Sequence, residues 1–227
     1  MRYQGEGMKQ YISETIIKDF FERLNDSRIR YILIKNIAAE LPCRLKPGKD
    51  IDLLIAKEDE GLVRSFLKKQ GYRRVEHPWG RTHGWDFLYG LDEFQFWEKE
   101  IEGDRIRIDI CYSLACKGVM PNVWIPLDRK IQNSAWEKRL WDDQNNWWIL
   151  DDDTLFCYLI ARCIFDKRGF SAEYIQEIQR VYEHVDLEKT KELLSCVFFK
   201  YTLRLLKFVE DNRFEDIVKD YFAFCDY

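Results

Sequence analysis

Two aspartates, Asp50 and Asp52, stand one residue apart where an apolar segment begins. The preceding Pro47-Gly48 pair is a turn signal, so the segment is predicted to form a strand over residues 51–55. Because side chains alternate along a strand, both carboxylates project from the same face. Neighbouring carboxylates repel each other, and aspartate is a poor strand residue. A divalent cation bound between them is the simplest resolution of this conflict.

A third candidate acid, Asp109, lies in the segment 104–110, where three isoleucines alternate strictly with polar residues. This alternation predicts a strand, and Asp109 faces the side opposite the isoleucines. If the two strands are neighbours, three carboxylates converge on one surface. Hard oxygen ligands of this kind suit Mg²⁺, which usually takes its remaining ligands from water and substrate phosphates. Two such ions can activate an attacking hydroxyl and stabilise a leaving phosphate oxygen.

The order of these elements resembles the polymerase-β-like nucleotidyltransferase superfamily. It comprises the strand 31–35, a helical segment, the Asp50-Ile51-Asp52 motif and a later strand that carries Asp109. The similarity is closest to a bacterial group known as uncharacterised nucleotidyltransferases, and it also includes Arg44 and residues 67–72. It covers roughly residues 10–165, and its specific part is the pair of aspartates.

The resemblance implies roles for the three acids. Asp50 and Asp52 would bind both of two Mg²⁺ ions, and Asp109 would help to hold the catalytic ion and to deprotonate the attacking hydroxyl. Basic residues accompany these acids, and we place Lys35 and Arg44 on the triphosphate of the donor, with Lys49 as a third base.

The residue after the first strand departs from the superfamily, which has Gly-Ser or Gly-Gly where the backbone approaches the triphosphate. The corresponding residues here are Lys35 and Asn36. Asparagine tolerates a left-handed backbone, so we expect Asn36 to have a positive φ or a turn-like geometry near the nucleotide. Its side chain nevertheless crowds a position where glycine would let phosphate come close.

Together these features predict a Mg²⁺-dependent nucleotidyltransferase. It would move a nucleoside monophosphate from a nucleoside triphosphate such as ATP to a hydroxyl group and release pyrophosphate. The acceptor would be a small molecule, a glycan precursor or a protein, and neither the acceptor nor the preferred base is specified. The alternative is a catalytically inactive binding module with the same fold. The intact acids favour the enzyme, and the missing glycine favours the module.

The elements that must position these residues follow an α+β pattern, a minimal nucleotidyltransferase mixed sheet with flanking helices and a C-terminal helical subdomain. The predicted helices cover residues 11–24, 37–41 and 59–70, and the predicted strands cover residues 31–35, 51–55, 72–76, 85–89 and 94–97. The segment 77–85 contains two histidines but no third ligand at suitable spacing for a metal. We expect it to be an ordinary surface loop. The alternative is a loop at the cleft, in which Arg81 or His83 would contact phosphate and Trp79 or Trp85 would stack on a base or sugar.

From Asp151 onward the apolar residues recur at helical spacing. This change places a catalytic domain at residues 1–150 and a helical subdomain at residues 151–227. The acids at 151–153 could suggest a metal site, but carboxylates at a helix start favour a capping role. Ser171 and Asp186 are predicted to cap the next two helices. The resemblance implies that the helical part covers the active cleft and helps to select the acceptor.

Composition limits the remaining classes of protein. The chain of 227 residues is 46% hydrophobic and 15% aromatic, which is typical of a globular protein. It lacks an apolar run long enough to span a membrane, and its first residues lack the core of a signal peptide. The seven cysteines are scattered without CxxC pairs, which favours a reducing cytoplasm. Residues 1–150 carry 25 basic and 24 acidic side chains, so no broad basic face for duplex nucleic acid is expected.

Overall fold

The computed structural model describes residues 11–75, 94–117 and 124–225. Within these ranges the chain has an α+β fold with a mixed seven-stranded sheet, flanking helices and a C-terminal helical region. The predicted fold class is therefore confirmed. The predicted strand 85–89 and the predicted loop 77–85 lie outside the described residues.

The described strands are β1 (Tyr31–Leu33), β2 (Asp50–Ile55), β3 (Arg73–Val75), β4 (Phe94–Ile101), β5 (Asp104–Cys111), β6 (Ala115–Lys117), β7 (Trp124–Pro126), β8 (Leu140–Asp142) and β9 (Trp147–Ile149). The main sheet has the order β3-β4-β5-β2-β1-β9-β8, and β6 pairs with β7 in a separate ribbon. The β2–β5 and β1–β9 pairs are parallel, and the other pairs are antiparallel.

The described α-helices are α1 (Glu14–Asp26), α2 (Glu60–Lys69), α3 (Arg129–Glu137), α4 (Asp152–Arg162), α5 (Ala172–Tyr182), α6 (Leu187–Phe198), α7 (Thr202–Glu210) and α8 (Phe214–Cys225). A π-helical turn, Cys163–Lys167, continues α4. None of the described helices is long and apolar enough to cross a membrane.

Most of the predicted elements are confirmed within a few residues. α2 ends just before Gly71, whose φ of +82° is a conformation that favours glycine. The predicted helix at residues 37–41 is instead a single 3₁₀ turn, Ile37–Ala39. The sequence patterns gave no expectation for α3 or for β8.

The main sheet separates two apolar layers. Ile51, Leu53 and Ile55 of β2 are buried with the apolar faces of α1 and α2. The alternate residue Leu54 is buried in the other layer, together with side chains of α4 and the helices that follow. Since side chains alternate along a strand, Asp50 and Asp52 project from the same face as Leu54. The two carboxylates therefore face the helical region.

Two helices of the C-terminal region start directly after the residues that were predicted to cap them. Ser171 precedes α5, and the side chain of Asp186 accepts hydrogen bonds from two backbone N–H groups at the start of α6. No strand interrupts the described residues 155–205, which confirms the expected helical pattern.

Two of the three acids at the start of α4 occupy structural positions. Asp151 occupies the N-cap position of α4. Asp153 is buried and accepts hydrogen bonds from the backbone N–H of Asp186 at 2.8 Å and from the hydroxyl of Thr190 at 2.9 Å. It therefore secures the start of α6 rather than its own helix.

Replacing Asp153 by alanine should destabilise the protein by about 3 kcal/mol, because a half-buried N–H group and the buried hydroxyl of Thr190 lose their acceptor. The neighbouring Asp152→Ala variant is the control, since Asp152 contributes chiefly to the helix dipole and should cost less than about 1 kcal/mol. Urea denaturation measures both changes. Equal losses in the two variants would contradict the assigned role of Asp153.

Candidate active site

The parallel pairing of β2 with β5 brings the sequence-predicted acids together. In this register Asp52 lies directly opposite Asp109, and Asp50 lies opposite Arg107. The isoleucines of both strands point into the layer under α1 and α2, so the carboxylates share the opposite face. The backbone thus places three acids on adjoining positions of two strands.

The three carboxylates repel one another in a partly dry environment. The pKa of Asp109 is raised from 3.8 to about 8, first because the carboxyl group is buried and second because Asp52 and Asp50 lie nearby. The pKa of Asp50 is also raised, again by burial first and then by the charge of Asp52. Shifts of this origin are typical of functional sites.

Two cations partly compensate this charge. Lys35 Nζ lies 3.0 Å from Asp52 Oδ1, and both side chains are largely buried, with 17% and 16% of their surface exposed. Arg107 Nη1 lies 3.8 Å from Asp50 Oδ1, and both of these side chains are exposed by more than 40%. The Lys35–Asp52 pair is the stronger interaction, because solvent screens the exposed pair.

The donor set fits Mg²⁺ in its chemistry, since it offers three hard carboxylate oxygens. Among the described residues, however, no three Asp, Glu, His or Cys side chains are grouped closely enough to hold a metal ion. Asp52 is turned to Lys35 and Asp50 to Arg107. The carboxylates would have to leave these partners in order to converge on an ion.

A cavity of about 410 Å³, here called the acid cavity, opens beside Asp50 and Asp52. Its described lining includes neither Asp109 nor Arg44. Four lysines line it, three from the sheet domain and one from the helical region, namely Lys35, Lys46, Lys49 and Lys167. The predicted phosphate-binding residues Lys35 and Lys49 therefore lie next to the two acids.

The loop after β1 is closed by Asn36. Its side-chain amide donates to the carbonyl of Leu41 at 3.1 Å and accepts from the backbone N–H of Leu41 at 2.9 Å. Of the two geometries expected for Asn36, the structure has the turn-like one: its φ is −140°, and the residue begins a 3₁₀ turn and lines the acid cavity. The left-handed positions are Ala38 and Ala39, with φ of 56° and 49°. Alanine accepts this conformation less readily than glycine or asparagine.

Arg44 lies on a second cavity of about 770 Å³, here called the edge cavity, which adjoins the acid cavity at Lys35 and Asn36. Its guanidinium group donates to the carbonyls of Ala38 and Ala39. In this arrangement Arg44 supports the left-handed loop. Its expected contact with a triphosphate stays a prediction.

The helical region adds residues that the sequence patterns did not indicate. Lys167, at the end of the π-helical turn, and Tyr174 of α5 both line the acid cavity. A signal was present in the sequence, since the charged run 166–168 interrupts the apolar stripe of α4 and precedes Gly169. Single-turn π-helical segments occur frequently at functional sites.

No family model and no curated protein matches the chain. The solution structure of the antibiotic-resistance factor ANT(2″)-Ia is similar over 88% of this chain and 97% of that chain, with a TM-score of 0.50 and 12% identity. The crystal structure of ANT(2″)-Ia in complex with adenylyl-2″-tobramycin covers 80% of this chain and 94% of that chain, with a TM-score of 0.45 and 12% identity. ANT(2″)-Ia is an aminoglycoside nucleotidyltransferase of the polymerase-β-like type. The first similarity shows that this chain has a nucleotidyltransferase fold.

The raised pKa of Asp109 predicts a pH-dependent stability in the absence of divalent cations. Between about pH 5 and pH 7 the unfolded chain carries an ionised Asp109, whereas the folded protein keeps it protonated. The folded state then binds more protons, so this residue makes the free energy of unfolding fall as the pH rises, by up to about 1.4 kcal/mol per pH unit.

Urea denaturation of the wild type and the Asp109→Asn variant, both in EDTA, measures this contribution. The variant should become progressively more stable than the wild type as the pH increases, because the other acids titrate in both proteins. A constant difference between the two from pH 5 to pH 8 would show that Asp109 is ionised in the folded protein.

The geometry of the loop after β1 predicts opposite consequences for two glycine substitutions. Asn36→Gly removes both hydrogen bonds to Leu41 and should cost about 2 kcal/mol. Ala38→Gly relieves a left-handed alanine, which roughly offsets the added freedom of the unfolded chain, so its stability should stay within about 1 kcal/mol of the wild type. Thermal or urea unfolding of both variants provides the comparison. A greater loss in Ala38→Gly would contradict this account of the loop.

Proposed function

We propose that this chain is a Mg²⁺-dependent nucleotidyltransferase. It would transfer a nucleoside monophosphate from a nucleoside triphosphate to a hydroxyl group of a small molecule, a glycan precursor or a protein, and release pyrophosphate. A small-molecule acceptor has the additional support of the fold shared with an aminoglycoside nucleotidyltransferase. We also retain the expectation of a cytoplasmic protein.

The observation that carries this proposal is the register of Asp52 against Asp109. A pair of aspartates on one strand and a third on its parallel neighbour form a set of hard oxygen donors beside a cavity lined by lysines. Such a set combines ligands for divalent cations with partners for phosphate. A structural role alone does not account for three neighbouring acids, two of which, Asp50 and Asp109, have raised pKa values.

Each group of residues in the proposed site would have its own role. Asp50, Asp52 and Asp109 would hold two Mg²⁺ ions, which when bound supply Lewis-acid activation of the attacking hydroxyl and of the leaving pyrophosphate. Lys35 and Lys49 would contact the triphosphate along the acid cavity. Asn36 would keep the intervening loop closed beside that cavity.

The competing proposal is a catalytically inactive module with the same fold. Two observations favour it. Lys35 pairs with one of the three acids, and the closed 36–41 loop has an alanine where the backbone is left-handed. Such a module would bind a nucleotide or a partner in the acid cavity without transferring a nucleotidyl group.

A calorimetric titration with each of the four nucleoside triphosphates, with and without Mg²⁺, tests whether the chain binds a donor. We expect binding that requires Mg²⁺, together with a rise in melting temperature at saturating ligand. Asp50→Asn and Asp52→Asn should abolish the Mg²⁺-dependent part and leave the metal-free protein folded, because each removes one of the repelling carboxylates.

Transfer itself is tested by incubating the preferred triphosphate, labelled at its α-phosphate, with a panel of hydroxyl compounds that includes tobramycin. Label on an acceptor in the wild type, and none in Asp52→Asn, would support the enzyme. Mg²⁺-dependent binding without pyrophosphate release or labelled product for any acceptor would favour the module. An aggregated Asp52→Asn variant would assign the acid a structural role.

A further inference from the structure

We propose that Lys167 binds the β- and γ-phosphates of the donor triphosphate, so that the helical region completes a donor site that the sheet begins. This inference rests on the proposed nucleotidyl transfer. It assigns a phosphate contact to a part of the chain outside the motif that carries the three acids.

The placement of Lys167 follows from the π-helical turn that continues α4. Arg162 and Asp166, one helical turn apart, form a buried ion pair with Nε and Oδ2 at 2.7 Å. Asp166 also accepts the backbone N–H of Lys117, which anchors the turn to β6. The turn ends at Arg168, which has a left-handed φ of 54°. A fixed turn therefore holds Lys167 at the wall of the acid cavity.

Among the described residues, Lys167 has no ion-pair partner. Its neighbour Asp166 is engaged by Arg162, and among the described residues no carboxylate lies within 4.0 Å of Lys167 Nζ. The closest aromatic contact is with the ring of Tyr174, whose centroid lies 6.0 Å away, at the outer limit of a cation–π interaction. By contrast, Lys35 of the same cavity is paired with Asp52.

The electrostatic surroundings favour an anion at this position. The pKa of Lys167 is lowered, first by partial burial and then by the positive charges of Lys35 and Arg162. A lysine destabilised by neighbouring positive charges is stabilised by a negatively charged ligand, and phosphate oxygens accept charge-assisted hydrogen bonds from lysine. With Asp50 and Asp52 on the same cavity, the arrangement matches a metal-bound triphosphate.

Calorimetric titration in Mg²⁺ buffer tests the assignment with three probes, namely ATP, inorganic tripolyphosphate and AMP. Lys167→Met removes the charge and keeps the length of the side chain, Lys167→Arg keeps the charge, and Lys167→Gln is measured as well because Lys167→Met could unfold. Lys219→Met is the matched control, since Lys219 is an exposed lysine of α8 that lines neither described cavity.

We expect Lys167→Met and Lys167→Gln to weaken the binding of ATP and of tripolyphosphate by about tenfold or more, the loss of one charge-assisted contact. Binding of AMP should be unchanged, because AMP lacks the outer phosphates. Lys167→Arg should restore most of the affinity, and Lys219→Met should behave as the wild type. A merely structural lysine would not separate ATP from AMP in this way.

Two outcomes would overturn the assignment, and they differ in their consequence. If the wild type binds ATP and the folded Lys167 variants bind it equally well, the assignment of Lys167 is wrong and the proposed function stands. If the wild type binds neither ATP nor tripolyphosphate in Mg²⁺, the acid cavity is not a triphosphate site. In that case both proposals fail.

Discussion

The parallel register between β2 and β5 is the constraint on which the site depends. It sets Asp52 opposite Asp109 and leaves like charges on neighbouring strands, an arrangement that costs free energy in a partly buried environment. Three nearby features reflect or reduce this cost. Asp109 has a pKa shifted upward, Lys35 pairs with Asp52, and Arg107 lies beside Asp50. A one-residue slip of either strand would turn its acids into the apolar layer, so the hydrophobic pattern fixes the site.

The helical region packs against the sheet and contributes residues to the acid cavity. The apolar cluster on its side of the sheet includes Ile34, Leu54 and Phe156, and it therefore runs across the change from strands to helices at residue 150. The same face of the sheet carries Asp109, whose pKa is raised chiefly by burial. The same packing brings Lys167 to the acid cavity. Stability and electrostatics at the site are thus coupled through one interface.

The sequence indicated features that depend on local periodicity. Alternation along 104–111 predicted the face on which Asp109 lies, and the capping residues Ser171 and Asp186 marked two helix starts. Local sequence patterns could not predict contacts between distant segments. The Lys35–Asp52 pair and the position of Lys167 depend on tertiary packing. The left-handed backbone of the loop falls on Ala38 and Ala39 and not on Asn36, and no residue preference marks alanine for that conformation. The binding roles of the acids and lysines stay predictions.

The free-energy cost of placing three acids on one face helps to distinguish an enzyme from an inactive module. Replacing buried charges by well-packed apolar residues is often neutral or stabilising, so a module without a metal gains no stability from three carboxylates on one face. Lys35 is compatible with either function, because its flexible side chain can hold Asp52 in the ion-free protein and can contact phosphate when Asp52 has another partner. The cost retained at Asp109 therefore supports the proposed cation site.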